Sequence, residues 1–165
     1  MGKFRALERA QLTKDWLLEE ITALAHFLTE RKVVEGDPIF LKQSKDRGLY
    51  FIETGIVRIQ YEGLSVDLRE GDSFGELSLF DENQKPVSTT AAQSCSLWVL
   101  TMDNLMEMKA TTPSVAVKLM ESICGKIAKS LSVFTVPTRI ITGSAAGSPS
   151  GLSKQTGGQP RPNLL

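Results

Sequence analysis

The residues with the most chemical potential lie close together, in the stretch 74–92. Gly71, Asp72, Gly75 and Glu76 lead into a short apolar turn, Leu77 to Phe80. A glycine followed by a helical turn leaves backbone N–H groups unpaired and pointing outward, a ready seat for an anion such as a phosphate. Glu76, on the same turn, can accept hydrogen bonds from sugar hydroxyls. Lys85, after an acidic polar loop, supplies a positive charge. Elsewhere the chemistry is thin. His26 is the sole histidine, and Cys95 and Cys124 are the two cysteines. The cysteines read as buried thiols rather than a disulfide or redox pair. Ser78 and Ser88 have only His26 as a possible base, and it belongs to an N-terminal helix away from the turn. No metal-ligand spacing or convincing carboxylate pair occurs, so neither an enzyme nor a metal or other cofactor is expected.

The elements that position these residues follow from pattern. The 165 residues allow one domain with a real core. Nineteen basic and 19 acidic residues balance, which argues against nonspecific binding to nucleic acid or membrane. Residues 1–10 carry charges without an apolar run, so no signal peptide is read, and no stretch reaches the length of a membrane helix. A cytoplasmic protein is the resulting expectation. Residues 1–12 read as a loose lead-in or frayed helix. Trp16, Leu17, Leu18, Ile21, Leu24, Ala25 and Leu28 recur at helical spacing over 15–28. Short candidate strands follow at 32–34, 39–41, 49–52, 56–61, 64–68, 89–92 and 96–100. Glycines punctuate them, and Glu62-Gly63 reads as a hairpin turn. Many short strands at near-regular spacing predict a sandwich or barrel. Residues 102–109 allow two helical turns. Thr112 then reads as an N-cap with Pro113 at the first helical position. Val115, Leu119, Ile123, Ile127 and Leu131 repeat every four residues. Lys118, Glu121, Lys126 and Lys129 mark the polar side, and Gly125 implies a close contact. Pro137 stops the helix, and 137–165 reads as a disordered tail rich in Gly, Ser, Pro and Gln.

Two runs carry a family resemblance: Leu49-Tyr50-Phe51-Ile52 with Gly55 and Val57, then Gly71-Asp72 with Phe74-Gly75-Glu76-Leu77-Ser78-Leu79. Together they resemble the cyclic-nucleotide-binding domain, found in kinase regulatory subunits, catabolite activators and gated channels. The resemblance covers about 17–134. It implies a mainly β fold: a double-stranded β-helix, or jelly-roll-like β-roll, with an N-terminal helix and C-terminal helices. On that basis 13–136 is the expected domain. The resemblance further implies that Gly75, Glu76, Leu77 and Ser78 form a phosphate-binding cassette, with Glu76 on the ribose 2′-hydroxyl. It places Lys85 where the family has an arginine, followed by Pro86, Val87 and Ser88. It puts Ser130 and Leu131 on the helix that closes the base pocket.

The chain departs from the family at Lys85-Pro86. Lysine keeps the charge but loses the planar fork, and proline removes a backbone donor. Two charged hydrogen bonds at roughly 1.5 to 3 kcal/mol each correspond to two or more orders of magnitude in affinity. Two readings therefore stand side by side. One is a cyclic-nucleotide sensor, for cAMP or cGMP, whose helix 113–136 signals to a protein partner or forms a homodimer. The other is a degenerate β-roll that docks other proteins. Direct DNA binding and membrane association are not expected, since neither a groove-reading helix nor a basic patch is visible.

Overall fold

The computed structural model describes residues 2–41, 47–61, 63–80 and 88–134. The elements run α1 (Gly2–Arg9), α2 (Leu18–His26), β1 (Thr29–Val33), β2 (Pro38–Leu41), β3 (Gly48–Thr54), β4 (Val57–Tyr61), β5 (Leu64–Leu68), β6 (Ser73–Phe74), α3 (Glu76–Phe80), β7 (Ser88–Ala91), β8 (Cys95–Thr101), α4 (Met102–Thr111) and α5 (Pro113–Phe134). The strands form two antiparallel four-stranded sheets, ordered β1-β8-β3-β6 and β2-β7-β4-β5. This is the expected β-roll with helices at both ends.

Strand β3 explains the arrangement. Its residues 48–52 are all buried, so the sheet is covered on both faces and reads as a continuous apolar run rather than an alternation. Leu49 and Phe51 join the helix-side core with Leu24, Leu79, Leu100, Leu105 and Leu119. Tyr50 and Ile52 face the inside of the roll with Val57, Phe74 and Leu97. Strand β4 keeps the alternation its sequence implies: Val57 and Ile59 are buried while Arg58 and Gln60 are exposed. Tyr61 pairs with Leu64 across the turn that contains Gly63, whose φ of 76° suits a tight hairpin. Arg58 grips Asp67 on β5 with two hydrogen bonds of 2.7 and 2.8 Å, fixing this register.

Several local expectations change in three dimensions. Residues 2–9 form α1, whose Ala6 and Leu7 are buried. Helix α2 begins only at Leu18, where the Glu20 carboxylate accepts the Leu17 N–H at 2.7 Å. Trp16 precedes that helix and turns its indole N–H to Ser122 on α5 at 3.1 Å. The Thr112 side chain does not cap α5. Its N–H and hydroxyl both donate back to the Met108 carbonyl, closing α4. Cys95 is buried but Cys124 is exposed, because its helix turns it away from the core. Burial pushes the Cys95 thiol up from its ordinary pKa. The close contact implied at Gly125 is absent: a Cβ there would meet nothing within 4 Å.

Two outcomes follow. Gly125→Ala removes backbone freedom from the unfolded chain at an exposed helical position. It should raise stability by about 0.5 to 1 kcal/mol, read as a Tm increase of roughly 2 to 4 °C. Glu20 is also tied to Lys118 at 2.5 Å, and that hydrogen bond, then the Leu17 N–H, holds its carboxyl below the usual range. A carboxyl depressed in the folded state stabilises above its unfolded pKa, and the gain is lost as pH falls through the folded value. Wild type should therefore be more stable than Glu20→Gln near pH 7, and the difference should close as melting curves are taken down to about pH 3.

Candidate functional site

Strand β6 and helix α3 meet at Gly75, whose φ is 92°. Only glycine holds that conformation without strain. The position is also crowded: a Cβ would fall 3.0 Å from the Tyr50 ring and closer still to the Gly48 carbonyl oxygen. The turn thus lies flat on the start of β3. Pairing of Tyr50 with Phe74 and of Phe51 with Ser73 holds it there. The Tyr50 and Phe74 rings stack at 4.8 Å with 9° between planes, and Phe40 packs 5.8 Å from Tyr50. At the far end of α3, Arg47 donates to the Leu79 and Phe80 carbonyls at 2.9 and 2.8 Å. A cation on those final carbonyls complements the helix end.

A cavity of about 550 Å³ opens beside this turn. Its walls are largely apolar, from Phe40, Ile59, Leu64, Val66, Leu68 and Phe74. Its polar groups come from Ser73, Gly75, Glu76, Ser78, Lys126 and Ser130. Leu64 and Val66 are exposed apolar side chains, and they are exposed because they face this space. Glu76 is 12% exposed and accepts at Oε1 from the Ser73 hydroxyl, at 3.1 Å, and from the Lys126 ammonium. Lys126 also donates to the Ser73 carbonyl at 2.5 Å and the Ser73 hydroxyl at 3.0 Å. An apolar slot with a carboxylate and a helix-borne cation at one edge suits a flat ligand carrying hydroxyls and a charge.

The family model for the cyclic nucleotide-binding domain matches residues 30–112, which take in β1 to β8 and the whole Gly75–Glu76 turn. The chain belongs to the cyclic nucleotide-binding domain family. It is 29% identical over 105 residues to the "Cyclic AMP receptor protein" of Thermus thermophilus, covering 59% of this chain and 48% of that protein. It is 30% identical over 83 residues to the "cAMP-dependent protein kinase regulatory subunit" of Yarrowia lipolytica, covering 50% of this chain and 22% of that one. The chain therefore spans less than half the length of these relatives. Among solved structures, a cyclic nucleotide-binding domain from Methylobacillus flagellatus shares the fold, with TM-score 0.68, 17% identity and 80% and 78% of the two chains covered.

The domain brings together most of the sequence-predicted residues. Gly75, Glu76, Leu77 and Ser78 line one edge of the cavity, and Ser130 approaches from α5. The Ser78 hydroxyl is already committed to the Gly75 carbonyl at 2.9 Å, and Ser130 to the Lys126 carbonyl at 3.1 Å. Ser88 sits in β7 opposite Gln60 and donates to its side chain at 2.6 Å, and it is not among the described residues that line the cavity. Lys85, Pro86 and Val87 lie outside the described residues. Lys126 is the residue that sequence reasoning missed. The pattern gives it only as part of the polar side of α5, yet it precedes Ser130 by four residues, and residues at that spacing share a helix face. A helix that presents Ser130 to the cavity presents Lys126 as well.

Gly75→Ala tests how far the turn depends on its backbone. Left-handed strain and the clash with Gly48 together should lower stability by at least about 2 kcal/mol in chemical denaturation. An unchanged midpoint would mean the turn can leave β3 at no cost.

Proposed function

We propose that this chain is a regulatory module that binds a cyclic nucleotide, cAMP or cGMP, in the cavity beside Gly75 and Glu76. The observation that carries the reading is the placement of the Glu76 carboxylate at the edge of an apolar cavity, at the turn the family model spans. The base packs between the apolar walls, a ribose hydroxyl donates to Glu76, and the phosphate lies over the Gly75–Ser78 turn. Lys85, Pro86 and Val87 complete the phosphate side, and Ser130 approaches the base. The names of the relatives, a cyclic AMP receptor and a cAMP-dependent kinase regulatory subunit, support this ligand class. The unit that does this is 13–136. The chain is a binding module rather than an enzyme, and helix α5 passes occupancy to a protein partner or a second copy.

One observation favours a second reading. Lys126 already satisfies Glu76, as it would in a β-roll whose carboxylate has become structural. In that case the domain acts as a docking unit.

Calorimetric titration of the purified chain with cAMP and with cGMP, up to millimolar concentration, separates the two. Saturable one-to-one binding is expected with at least one nucleotide. Glu76→Gln should weaken it about 10- to 100-fold, since a hydrogen bond to a charged group is worth roughly 1.5 to 3 kcal/mol. A folded sample that gives no heat with either nucleotide supports the docking unit instead.

A further inference from the structure

Lys126 is the single cation among the described residues that line the cavity, and it belongs to α5 rather than to the roll. Its three ammonium protons have three acceptors, the Glu76 carboxylate, the Ser73 hydroxyl and the Ser73 carbonyl, all on the β6–α3 turn. Ser73 in turn donates to the same Glu76 oxygen that Lys126 holds. The link is therefore a closed triangle of Lys126, Ser73 and Glu76 that fastens the helix to the turn. Four residues earlier, Ser122 receives the Trp16 indole N–H. Between them Gly125 is open, and a second cleft of about 410 Å³ lies between residues 11–16 and the helix. Lys126 borders both spaces. The helix around it thus has free space on one side and a polar anchor on the other.

We propose that Lys126 is a latch, a positioning residue that competes with the ligand for Glu76. A ligand hydroxyl that donates to Oε1 of Glu76, the oxygen that Lys126 and Ser73 share, displaces the ammonium from the carboxylate, so filling the cavity leaves α5 held to the turn only by the two Ser73 contacts. This rests on the cyclic-nucleotide reading of the site and adds what that reading leaves open, namely which contact couples occupancy to the helix. Coupling between two equilibria is reciprocal. If the ligand loosens the latch, removing the latch tightens the ligand by the same factor.

The test pairs calorimetry with hydrogen exchange along 118–131, in the full chain and in Lys126→Met, Lys126→Gln and Lys126→Arg. Folding of each is checked by circular dichroism, and the glutamine variant serves if the methionine variant fails to fold. The neutral variants should bind the nucleotide about fivefold or more tightly than wild type, on the scale of ordinary allosteric couplings. Their exchange near residue 126 should be faster without nucleotide, to the level wild type reaches when saturated. Lys126→Arg, which keeps the cation, should return both readouts towards wild type. Weaker binding in the neutral variants would make Lys126 a ligand-holding group and overturn the latch. So would equal binding with unchanged exchange. The two failures read apart. No heat from wild type or variants with cAMP or cGMP overturns the binding reading and the latch with it. Binding by wild type with exchange indifferent to residue 126 overturns the latch alone.

Discussion

The setting of α5 is the constraint on which the rest of the structure depends. Two stripes run along this helix side by side. Val115, Leu119 and Ile123 are buried in the helix-side core. One residue before each lies a polar partner stripe, continued for two more turns: Ser114, Lys118, Ser122, Lys126 and Ser130. Three of these reach other parts of the chain, Lys118 to Glu20, Ser122 to Trp16 and Lys126 to the Ser73–Glu76 turn. Adjacent residues are about 100° apart around the axis. A rotation large enough to break the polar contacts would therefore lift the core stripe into water. Burial sets the helix's rotation, and the polar contacts set how close its far end lies to the turn.

The turn itself is suspended between two cores. Phe74 belongs to the interior of the roll, stacked on Tyr50. Leu79, five residues later, belongs to the helix-side core. Strand β3 divides these cores and contributes to both. Gly75 lies against Gly48 at its start, while Arg47, the residue before it, holds the end of α3. The six residues from Phe74 to Leu79 thus span the boundary between two packed regions. The turn cannot shift towards the cavity without disturbing Leu79 on the other side, so the two cores are mechanically joined at this point.

How much of this was legible in the sequence depended on how local the cause was. The β-roll, the alternation in β4 and the apolar run of β3 are written in periods that any sheet of this kind must have. The turn at Gly75 was legible through its glycine, because a positive φ is a backbone demand that sequence records directly. Strand β6, only two residues long, has no period to detect. Thr112 stands before Pro113 as the sequence implies, and its carbonyl accepts the Val115 and Ala116 N–H groups, but its hydroxyl had two legitimate uses, capping the next helix or closing the last, and only the packing of α4 on β8 and α5 decides between them. Gly125 looked like a close approach and is open space, since a glycine marks freedom as readily as crowding. Lys126 was hidden by its charge. A lysine on an amphipathic helix belongs by default to solvent, and its partner lies 50 residues away in the chain.

Exposure decides which half of the Lys126–Glu76 pair controls the site. The Lys126 side chain is 35% exposed, so its ammonium can exchange a carboxylate for water at modest cost. The Glu76 side chain is 12% exposed, and a carboxylate stripped of donors in such a place carries the larger desolvation penalty. The Ser73 hydroxyl alone does not replace a cation. Whatever separates the pair must therefore bring a donor to Glu76, whereas it need bring nothing to Lys126. An anion without hydroxyls, such as sulfate, offers Glu76 only repulsion. A flat apolar molecule without them leaves the carboxylate unsatisfied. A sugar hydroxyl close to an anionic group meets both demands, because it can donate to Glu76 while the anion stays off the carboxylate. Of the parts of a nucleotide, the ribose rather than the base carries such a hydroxyl beside an anionic group.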